Sequence, residues 1–342
     1  MKAWLIIAFF FVNISALSAG SSINVYSWGG EIPSSVLKAF ERSTGIEVHF
    51  STYDSNETLY TKLTAGQSGV YDVIVPSAYV VEHMKKSGML ETIDQKQLTN
   101  LHNLDPYFQN NAYDPHNQYS IPLVWGATGI FYNKNLIKKP PTHWKDLWEQ
   151  RWRNQLMLLD DPREIFALTM IRLGYSVDES GTKEIQAANT TLHKLVPNIK
   201  LFVSEGVQAL MIDEDANIGT AWSGDAFKAH LENSAINFIY PREGFVVWID
   251  CLAIPRNPPH PHAAHQFINF LLRPEIAAEI ARQEGHAITN APGKLLLSAK
   301  QQHNPWVYPS KKVLQRGHVQ RDLSDAVIKQ YSKDWLALKL AF

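Results

Sequence analysis

The sequence predicts an α/β protein with two lobes, each built on a mostly parallel sheet flanked by helices. Two observations support this prediction. Short apolar segments alternate with helical segments along most of the chain, which is the pattern of a parallel sheet with helices on both faces. The length of 342 residues also exceeds what one hydrophobic core usually supports, so two lobes are expected.

The first part of the chain alternates regularly between strands and helices. A strand, INVYSW, precedes a helix, PSSVLKAFERSTG, which starts with the polar residues Ser34 and Ser35. A second strand, IEVHFSTY, precedes a helix that Ser55 opens, and a short buried strand, YDVIVPS, precedes a helix that Gly88 ends. Residues 102–122 are rich in Asn, Asp, Pro and Tyr, which predicts an irregular connection, and WGATGIFYN resumes an extended chain.

A second α/β run follows the linker KKPPTHWKDLW. The predicted strands are LMLLD, ANIGTAW, INFIY and the long GFVVWIDCLAIP. The predicted helices are PREIFALTMIRLG, EIQAANTTLHKLV, DAFKAHLEN, HAAHQFINFLL and PEIAAEIARQ, and the chain ends with the segment DAVIKQYSKDWLALKL.

The first residues have the pattern of a secretory signal peptide over 1–20: one lysine, an apolar run and then small residues. Cleavage is expected after Ser18, Ala19 or Gly20, and the apolar run is short for a membrane span. Cys251 is the only cysteine, which excludes an internal disulfide and a lipid-carrying cysteine at the cleavage site. We therefore expect an exported protein of the Gram-negative periplasm that does not insert into a membrane once the signal peptide is removed.

The charge balance argues against polyanionic partners. The chain has 32 basic and 33 acidic residues and a formal net charge of -1. A nucleic acid or an anionic membrane surface would require a basic excess, so neither is expected as the main partner. Ten tryptophans and thirteen tyrosines leave aromatic side chains available for a ligand cleft.

Acids and aromatics lie where the predicted strands turn into helices. In open α/β sheets, ligands bind at the carboxyl ends of the strands. The residues at these turns are Trp28, Ser77, Tyr79, Asp161, Glu164, Trp222 and Asp225. Trp248 and Asp250 are two residues apart on the long strand, so they point to the same side of it. An acid within such an apolar run is rarely buried without a partner, which favours a functional role for Asp250.

This combination of aromatic faces and carboxylates suits an elongated organic cation. An ammonium over a Trp or Tyr ring gains about 0.5–2 kcal/mol, and carboxylates are its natural hydrogen-bond acceptors. Burying an ammonium without such partners costs several kcal/mol, so the acids would decide which ligand binds.

Some of these residues have an equally good structural interpretation. Asp161, followed by a proline and then by Glu164, is typical of a helix N-terminus, where an aspartate caps a backbone N–H. Trp28 fits a core position, and Tyr79 fits a contact that anchors the start of a helix. Asp225 fits the first turn of a helix and is left out of the candidate set.

Other chemistries have weaker support. His260, His262 and His265 straddle a Pro-rich loop and a helix start, so no metal site is predicted. The sequence has no GKS or GKT motif and no nucleophile elbow, so we predict no cofactor and no catalytic residue. Paired acids such as Asp161 and Asp250 leave a glycosidase open, since the sequence does not specify their separation.

Ordered motifs throughout the chain identify a family. They are NVYSW, STYDSNETLYTKL, YDVIVPSAYVVEHM, QLTNLHNLDP, YSIPLVWGATGI, DDPREIF, WIDCLAIP, INFLLRPE and GHVQRD. With these motifs the chain resembles the periplasmic spermidine/putrescine-binding proteins of ABC transporters. The resemblance implies a two-lobed periplasmic-binding-protein fold of type II with crossover strands. Its lobes are expected at 21–126 with 250–296 and at 127–249 with 297–342, closing on a polyamine and delivering it to an inner-membrane permease.

The resemblance also implies roles for individual residues. Trp28, Trp222 and Trp248 look like aromatic walls, and Ser77 and Tyr79 look like lining residues of the N-terminal lobe. Asp161 and Glu164 look like acceptors for one amine end, Asp250 like the acid for a second amine, and Gln320 like a polar contact from the C-terminal segment.

Two positions depart from the family pattern. Gly29, Gly30 and Glu31 follow Trp28 where the family more often has a Thr-Glu-Tyr-like run, so an aromatic ring is lost and the acid is displaced by one residue. His286 replaces a usual tyrosine. Glu31 and His286 are kept as candidate ligand residues, with consequences for which polyamine is preferred.

The leading hypothesis is a periplasmic binding protein for spermidine, with putrescine weaker, that has no catalytic activity. One rival is a sensor whose loaded form docks on a membrane signalling receptor instead of a permease. The other is a carbohydrate-binding protein or carbohydrate-active enzyme that uses the same aromatics and acids.

Overall fold

A computed structural model describes residues 22–342, so the signal peptide predicted for 1–20 lies outside the described residues. The strands are β1 Ser22–Trp28, β2 Glu47–Tyr53, β3 Val73–Ile74, β4 Ser120–Asn133, β5 Leu156–Leu159, β6 Ile199–Val203, β7 Ile218–Trp222, β8 Ile236–Ile239, β9 Phe245–Ala253, β10 Ala287–Ile288 and β11 Gly317–Val319. The helices are α1 Ser34–Thr44, α2 Asn56–Lys62, α3 Ala78–Lys86, α4 Pro162–Leu173, α5 Thr182–His193, α6 Val207–Ile212, α7 Ser223–Glu232, α8 Pro261–Leu271, α9 Pro274–Glu284, α10 Ala291–Leu295, α11 Ala299–Gln302, α12 Lys311–Leu314 and α13 Asp325–Leu340.

The strands form one connected sheet in the order β2-β1-β3-β9-β4-β7-β5-β6, with β8 and β10 also paired to β4 and β11 to β9. The pairs β1–β2, β1–β3, β5–β6, β5–β7 and β9–β11 are parallel. Each antiparallel pair of the described strands contains β4 or β9. The α/β fold class is therefore confirmed, with two long strands linking the parallel units.

Strand β4 connects the two halves of the sheet. Its first part, Ser120–Ala127, pairs with β9, and its second part, from Thr128 onward, pairs with β7 and β8. All fourteen of its residues are buried. Burial on both faces explains why this segment is apolar without alternation. It begins at Ser120, within the segment that the sequence predicts to be irregular, because its ladder with β9 outweighs the local turn signals.

Capping explains where several helices begin and end. The Ser55 side chain accepts a hydrogen bond from the N–H of Thr58 at the start of α2, as predicted. Helix α1 ends at Gly45, whose φ of 72° is left-handed, and α4 ends in the same way at Gly174. Helix α4 is buried on all sides from Arg163 to Ile171, so it lies inside the fold.

The sequence analysis did not predict β6, α6, or the short elements β10, α10, α11, α12 and β11. Strand β6, with the sequence IKLFV, has an exposed lysine in an otherwise apolar segment, and it pairs with β5 at the sheet edge. Helix α6 has only six residues and follows directly. Within residues 22–342, no helix combines the length and apolar character that a membrane span requires.

Candidate functional site

A cavity of about 500 Å³ lies where β1, β3, β5 and β7 end against β9, and this volume suits a small ligand. The eleven candidate residues from the sequence all line it. They are Trp28, Glu31, Ser77, Tyr79, Asp161, Glu164, Trp222, Trp248, Asp250, His286 and Gln320. The topology brings them together because parallel strands present their carboxyl ends at one edge of the sheet.

Indole rings form flat walls of this cavity. Trp28 is the last residue of β1 and packs against Tyr53, with their ring centroids 4.7 Å apart. Trp248, on β9, meets the imidazole of His286 edge to face at 5.4 Å. Within residues 22–342, the buried Nε1 atoms of Trp28 and Trp248 have no hydrogen-bond partner. Trp222 precedes the first turn of α7 and also lines the cavity.

A buried polar chain connects Asp250 to the start of α3. The Ser77 hydroxyl donates a hydrogen bond to Oδ1 of Asp250 at 2.6 Å. Nδ2 of Asn56 donates to the Ser77 hydroxyl at 3.1 Å and to the Tyr79 hydroxyl at 2.9 Å. Asn56, which the sequence analysis missed, thereby holds both lining hydroxyls in place.

Glu31 and Asp250 are two buried carboxyl groups that face each other. Burial, and then the neighbouring Asp250, raise the pKa of Glu31 well above its usual range. Burial raises the pKa of Asp250 to about 6, although its hydrogen bonds from Glu31 and Ser77 favour the charged form. The two groups therefore share a proton readily and disfavour full ionisation in the absence of a cation.

Asp161 caps α4 and lines the cavity at the same time. Its Oδ1 accepts a hydrogen bond from the backbone N–H of Glu164 at 3.0 Å, so the prediction that Asp161 caps a helix is correct. The same residue also lines the cavity. Burial, followed by the charge of Asp161, raises the pKa of Glu164 to about 8. The same two causes raise the pKa of Glu57, on α2, to about 7. The adjacent Asp160 points elsewhere and accepts the Trp335 indole N–H at 2.8 Å.

One end of the cavity carries charged residues that the sequence analysis left out. Asp225 stands in the first turn of α7, as expected, and it also lines the cavity. Burial raises its pKa to about 6. Glu284 and Lys228 line the same end, with their charged atoms 3.5 Å apart. Burial, and then the Lys228 ammonium, lower the pKa of His286 to about 4, so its imidazole is neutral at pH 7.

Acids outnumber bases around the cavity. Its acidic lining residues are Glu31, Asp54, Asp161, Glu164, Glu205, Asp225, Asp250 and Glu284. Lys228 is the one lysine or arginine among the lining residues of the described chain. Burial raises the pKa of several of these acids because each would otherwise carry a charge without enough water or countercharge. The site is thus electrostatically complementary to a ligand with more than one positive charge.

Gln320 and Arg163 join the cavity to the C-terminal segment. The buried Gln320 amide donates to the carbonyl oxygen of Arg163 at 2.9 Å, which orients the amide in the lining. The Arg163 guanidinium lies over the Tyr79 ring, with 4.8 Å from its Cζ to the ring centroid. It also donates to the carbonyl oxygen of Arg321 at 2.9 Å.

The histidine cluster has other contacts. Nδ1 of His260 lies 3.1 Å from Asp72, Nδ1 of His262 lies 3.0 Å from Gln97, and Nε2 of His265 accepts the N–H of Asp94. Across residues 22–342, no group of three or more His, Cys, Asp or Glu side chains is arranged to hold a metal ion.

The family model described as bacterial extracellular solute-binding protein matches residues 35–302. The chain is 41% identical over 310 residues to the spermidine/putrescine-binding periplasmic protein of Salmonella typhimurium, which covers 90% of this chain and 89% of that protein. It is 31% identical to the putrescine-binding periplasmic protein SpuD of Pseudomonas aeruginosa, with 93% and 91% covered.

Solved structures of proteins with related names are also similar to this chain. A spermidine/putrescine ABC transporter protein from Listeria monocytogenes superimposes with a TM-score of 0.91 at 33% identity, covering 94% of this chain and 100% of that chain. The substrate-binding protein PotD of a spermidine/putrescine ABC transporter from Streptococcus pneumoniae superimposes with a TM-score of 0.79 at 33% identity, covering 94% and 99%.

Proposed function

The chain belongs to the bacterial extracellular solute-binding protein family, within the group of spermidine/putrescine-binding periplasmic proteins, and on this premise we propose that it captures a polyamine in its acidic cavity. The single observation that carries the proposal is the lining itself. Eight carboxylates surround a space walled by Trp28, Trp222 and Trp248, and one lysine opposes them. A slender polycation neutralises such carboxylates and presents methylenes to indole faces.

Two of the polyamine's ammonium groups would each pair with two acids of the cavity. We assign one terminal amine to Asp161 and Glu164 and a central amine to Asp250 with Glu31. The two pairs lie on different elements, Asp161 and Glu164 at the start of α4 and Asp250 with Glu31 on β9 and after β1, which supports two separate amine sites. Ser77, Tyr79 and Gln320 would orient the acids or accept hydrogen bonds from the ammonium groups.

The energetics are sufficient for micromolar binding. Seven methylenes of spermidine, at roughly 0.8 kcal/mol each when fully buried, supply about 5–6 kcal/mol as an upper estimate. A micromolar dissociation constant corresponds to about 8 kcal/mol. Ion pairs and cation–π contacts add the remainder after the costs of ordering. Putrescine has fewer methylenes and one ammonium fewer, so we assign it the weaker affinity.

We further assign the chain to import by an ABC transporter, with a membrane permease as its partner. The names of the similar proteins from Salmonella typhimurium and Listeria monocytogenes support an exported binding protein that works with such a transporter. Periplasmic location and removal of residues 1–20 belong to this proposal. We assign the cavity a binding role, not a catalytic one.

Capture by closure of two lobes completes the proposal. The lobes would comprise 21–126 with 250–296 and 127–249 with 297–342. Strand β4 pairs with β9 up to Ala127 and with β7 from Thr128 onward. This change of partner supports a lobe boundary between the two residues. Small-angle scattering with and without spermidine tests closure, and an unchanged radius of gyration would reject it.

A thermal-shift panel tests the ligand class. We expect spermidine and putrescine to raise the melting temperature of the purified protein, while neutral oligosaccharides leave it unchanged. A shift with oligosaccharides and none with polyamines would assign the cavity to carbohydrates. Uptake of labelled spermidine by a deletion strain separates the two cellular roles: loss of import supports a transporter component, and normal import would assign the chain to signalling.

A further inference from the structure

Lys228 is a cation built into an otherwise acidic cavity. It projects from α7, and its Nζ lies 3.5 Å from Oε2 of Glu284, the last residue of α9. Both side chains are largely enclosed, with 27% of Lys228 and 15% of Glu284 exposed. Both residues line the cavity in which we place the polyamine. A positive charge there works against a cationic ligand and therefore calls for an explanation.

The backbone next to Glu284 keeps the Lys228 side chain in position. Gly285 ends α9 with a left-handed φ of 77°. A β-carbon at Gly285 would lie 2.7 Å from Cγ and 2.9 Å from Cδ of Lys228, so the absence of a side chain at this position makes room for the lysine stem. The ammonium thus lies beside Glu284 at the end of α9, and Lys228 lines the cavity.

The charge of Lys228 acts on its neighbours at this end of the cavity. It lowers the pKa of His286 in addition to burial, and it opposes the rise that burial causes in the pKa of Asp225 and of Glu284. Gly30 is also close to Glu284, since a β-carbon there would be 3.6 Å from Oε2. One charged part of the lining is therefore formed by Lys228 together with its neighbours Asp225, Glu284, His286 and Gly30.

We propose that Lys228, held by Glu284, is a specificity-determining residue that disfavours polyamines with an additional ammonium group at this end of the cavity. A further ammonium there would meet a like charge at short range in a poorly hydrated site, where repulsion is stronger than in water. Glu284 offsets this repulsion only in part, because its carboxylate lies 3.5 Å from the Lys228 ammonium and not at the position of the added ammonium. The proposal rests on the proposed polyamine function and identifies spermine, with four ammonium groups, as the ligand excluded relative to spermidine.

A purely structural role for the pair makes a different prediction. Lys228 and Glu284 belong to different predicted lobes, so the pair could serve only to hold the lobes together. Loss of such a tie would weaken all polyamines by the same factor, since it changes the closed state and not the ligand contacts. The ratio of two affinities therefore separates specificity from closure.

Calorimetric titration of the full mature chain with spermidine and with spermine provides the test. We expect Lys228→Met to lower the ratio of the spermine to the spermidine dissociation constant by about tenfold, because it removes the like charge and keeps an unbranched stem. Lys228→Arg keeps the charge and should keep the wild-type ratio.

Glu284→Gln provides the second variant. It leaves the Lys228 ammonium without its countercharge, so the ratio should rise above the wild-type value. An unchanged ratio in both Lys228→Met and Glu284→Gln would overturn the proposal, as would an equal loss for both ligands. Failure of the wild-type protein to bind either polyamine would instead reject the proposed function itself.

Discussion

Gly126 provides the space in which the indole of Trp248 lies. The two residues are cross-strand partners on β4 and β9, and a β-carbon built on Gly126 would lie 2.2 Å from Cζ2 of Trp248. A second and a third indole atom would lie within 2.8 Å of it. These distances are far below van der Waals contact, so the orientation of this wall of the cavity depends on the missing side chain.

Gly126→Ala should therefore displace the Trp248 indole and weaken spermidine binding by about tenfold, because one face for the ligand methylenes moves. Overpacking at this contact should also lower the free energy of unfolding by about 1–3 kcal/mol. Calorimetry and urea denaturation measure the two effects. Gly69→Ala is the matched control, since a β-carbon there meets its nearest atom at an ordinary 3.5 Å. Equal affinity of Gly126→Ala and the wild type would show that the indole does not form the ligand wall.

Asp250→Asn should separate ligand affinity from stability. Loss of one partner of a buried charged pair costs about 2–5 kcal/mol, so spermidine affinity should fall at least about 30-fold. The unliganded variant should be more stable than the wild type at pH 8, because Glu31 no longer faces a second carboxylate.

Asp160→Asn is the control for this experiment. That acid pairs with Trp335 and Lys339 outside the cavity, so its amide variant should bind spermidine like the wild type. Similar affinity losses in both variants would mean that long-range charge, and not the position of Asp250, determines binding.

The unliganded protein should become less stable as the pH rises from 5 to 8. Burial raises the pKa of Glu164 from its ordinary 4.5 to about 8, so within this range the folded state retains a proton that the unfolded state releases. The stabilising contribution is complete below pH 4.5 and is lost as the pH approaches 8. We expect a loss of about 2–4 kcal/mol, measured by urea denaturation across the range.

Glu164→Gln should reduce this pH dependence, because the amide does not titrate, and saturating spermidine should do the same. A constant or rising free energy of unfolding between pH 5 and 8 would contradict the raised pKa of the buried Glu164.

Arg321→Met should speed release of the ligand. Against the effect of burial, hydrogen bonds from the Arg321 guanidinium and from the Asp322 N–H hold the pKa of Glu82, on α3, down to about 2. These contacts join segments assigned to different lobes. Because Arg321 is 44% exposed, we expect only about a three- to tenfold faster dissociation of spermidine by stopped-flow fluorescence. Arg282→Met, which removes a pair within α9, should leave the rate unchanged.

The sequence alone predicts those cavity-lining residues that come at the ends of strands. Trp28, Ser77, Asp161 and Trp222 each come at the carboxyl end of a predicted strand, and a parallel sheet places such ends together. Asp250 also lines the cavity, and the cost of an acid in an apolar strand is what singles it out in the sequence. Asp161 illustrates why two interpretations need not exclude each other, since one carboxylate caps a helix and lines the cavity.

Residues that reach the cavity through tertiary packing could not be predicted in this way. Asn56 and Glu57 stand in the first turn of α2, where a polar side chain needs no other explanation. Lys228 and Glu284 lie on separate helices and meet only after folding. Asp225 could have been predicted, since it follows Trp222 by three residues at a strand-to-helix turn. Its place in the first turn of α7, where an acid is favoured, already explains an aspartate there.

The most direct test of the account is calorimetric titration of the protein with spermidine at pH 7 in two buffers of different ionisation enthalpy. We expect saturable binding in the micromolar range together with net proton release, because the bound ammonium groups stabilise the charged forms of acids such as Glu164, whose pKa of about 8 lies above the pH of the experiment. The absence of binding heat with spermidine, putrescine and spermine at high micromolar concentration would contradict the central claim that carboxylates and indoles form a polyamine site.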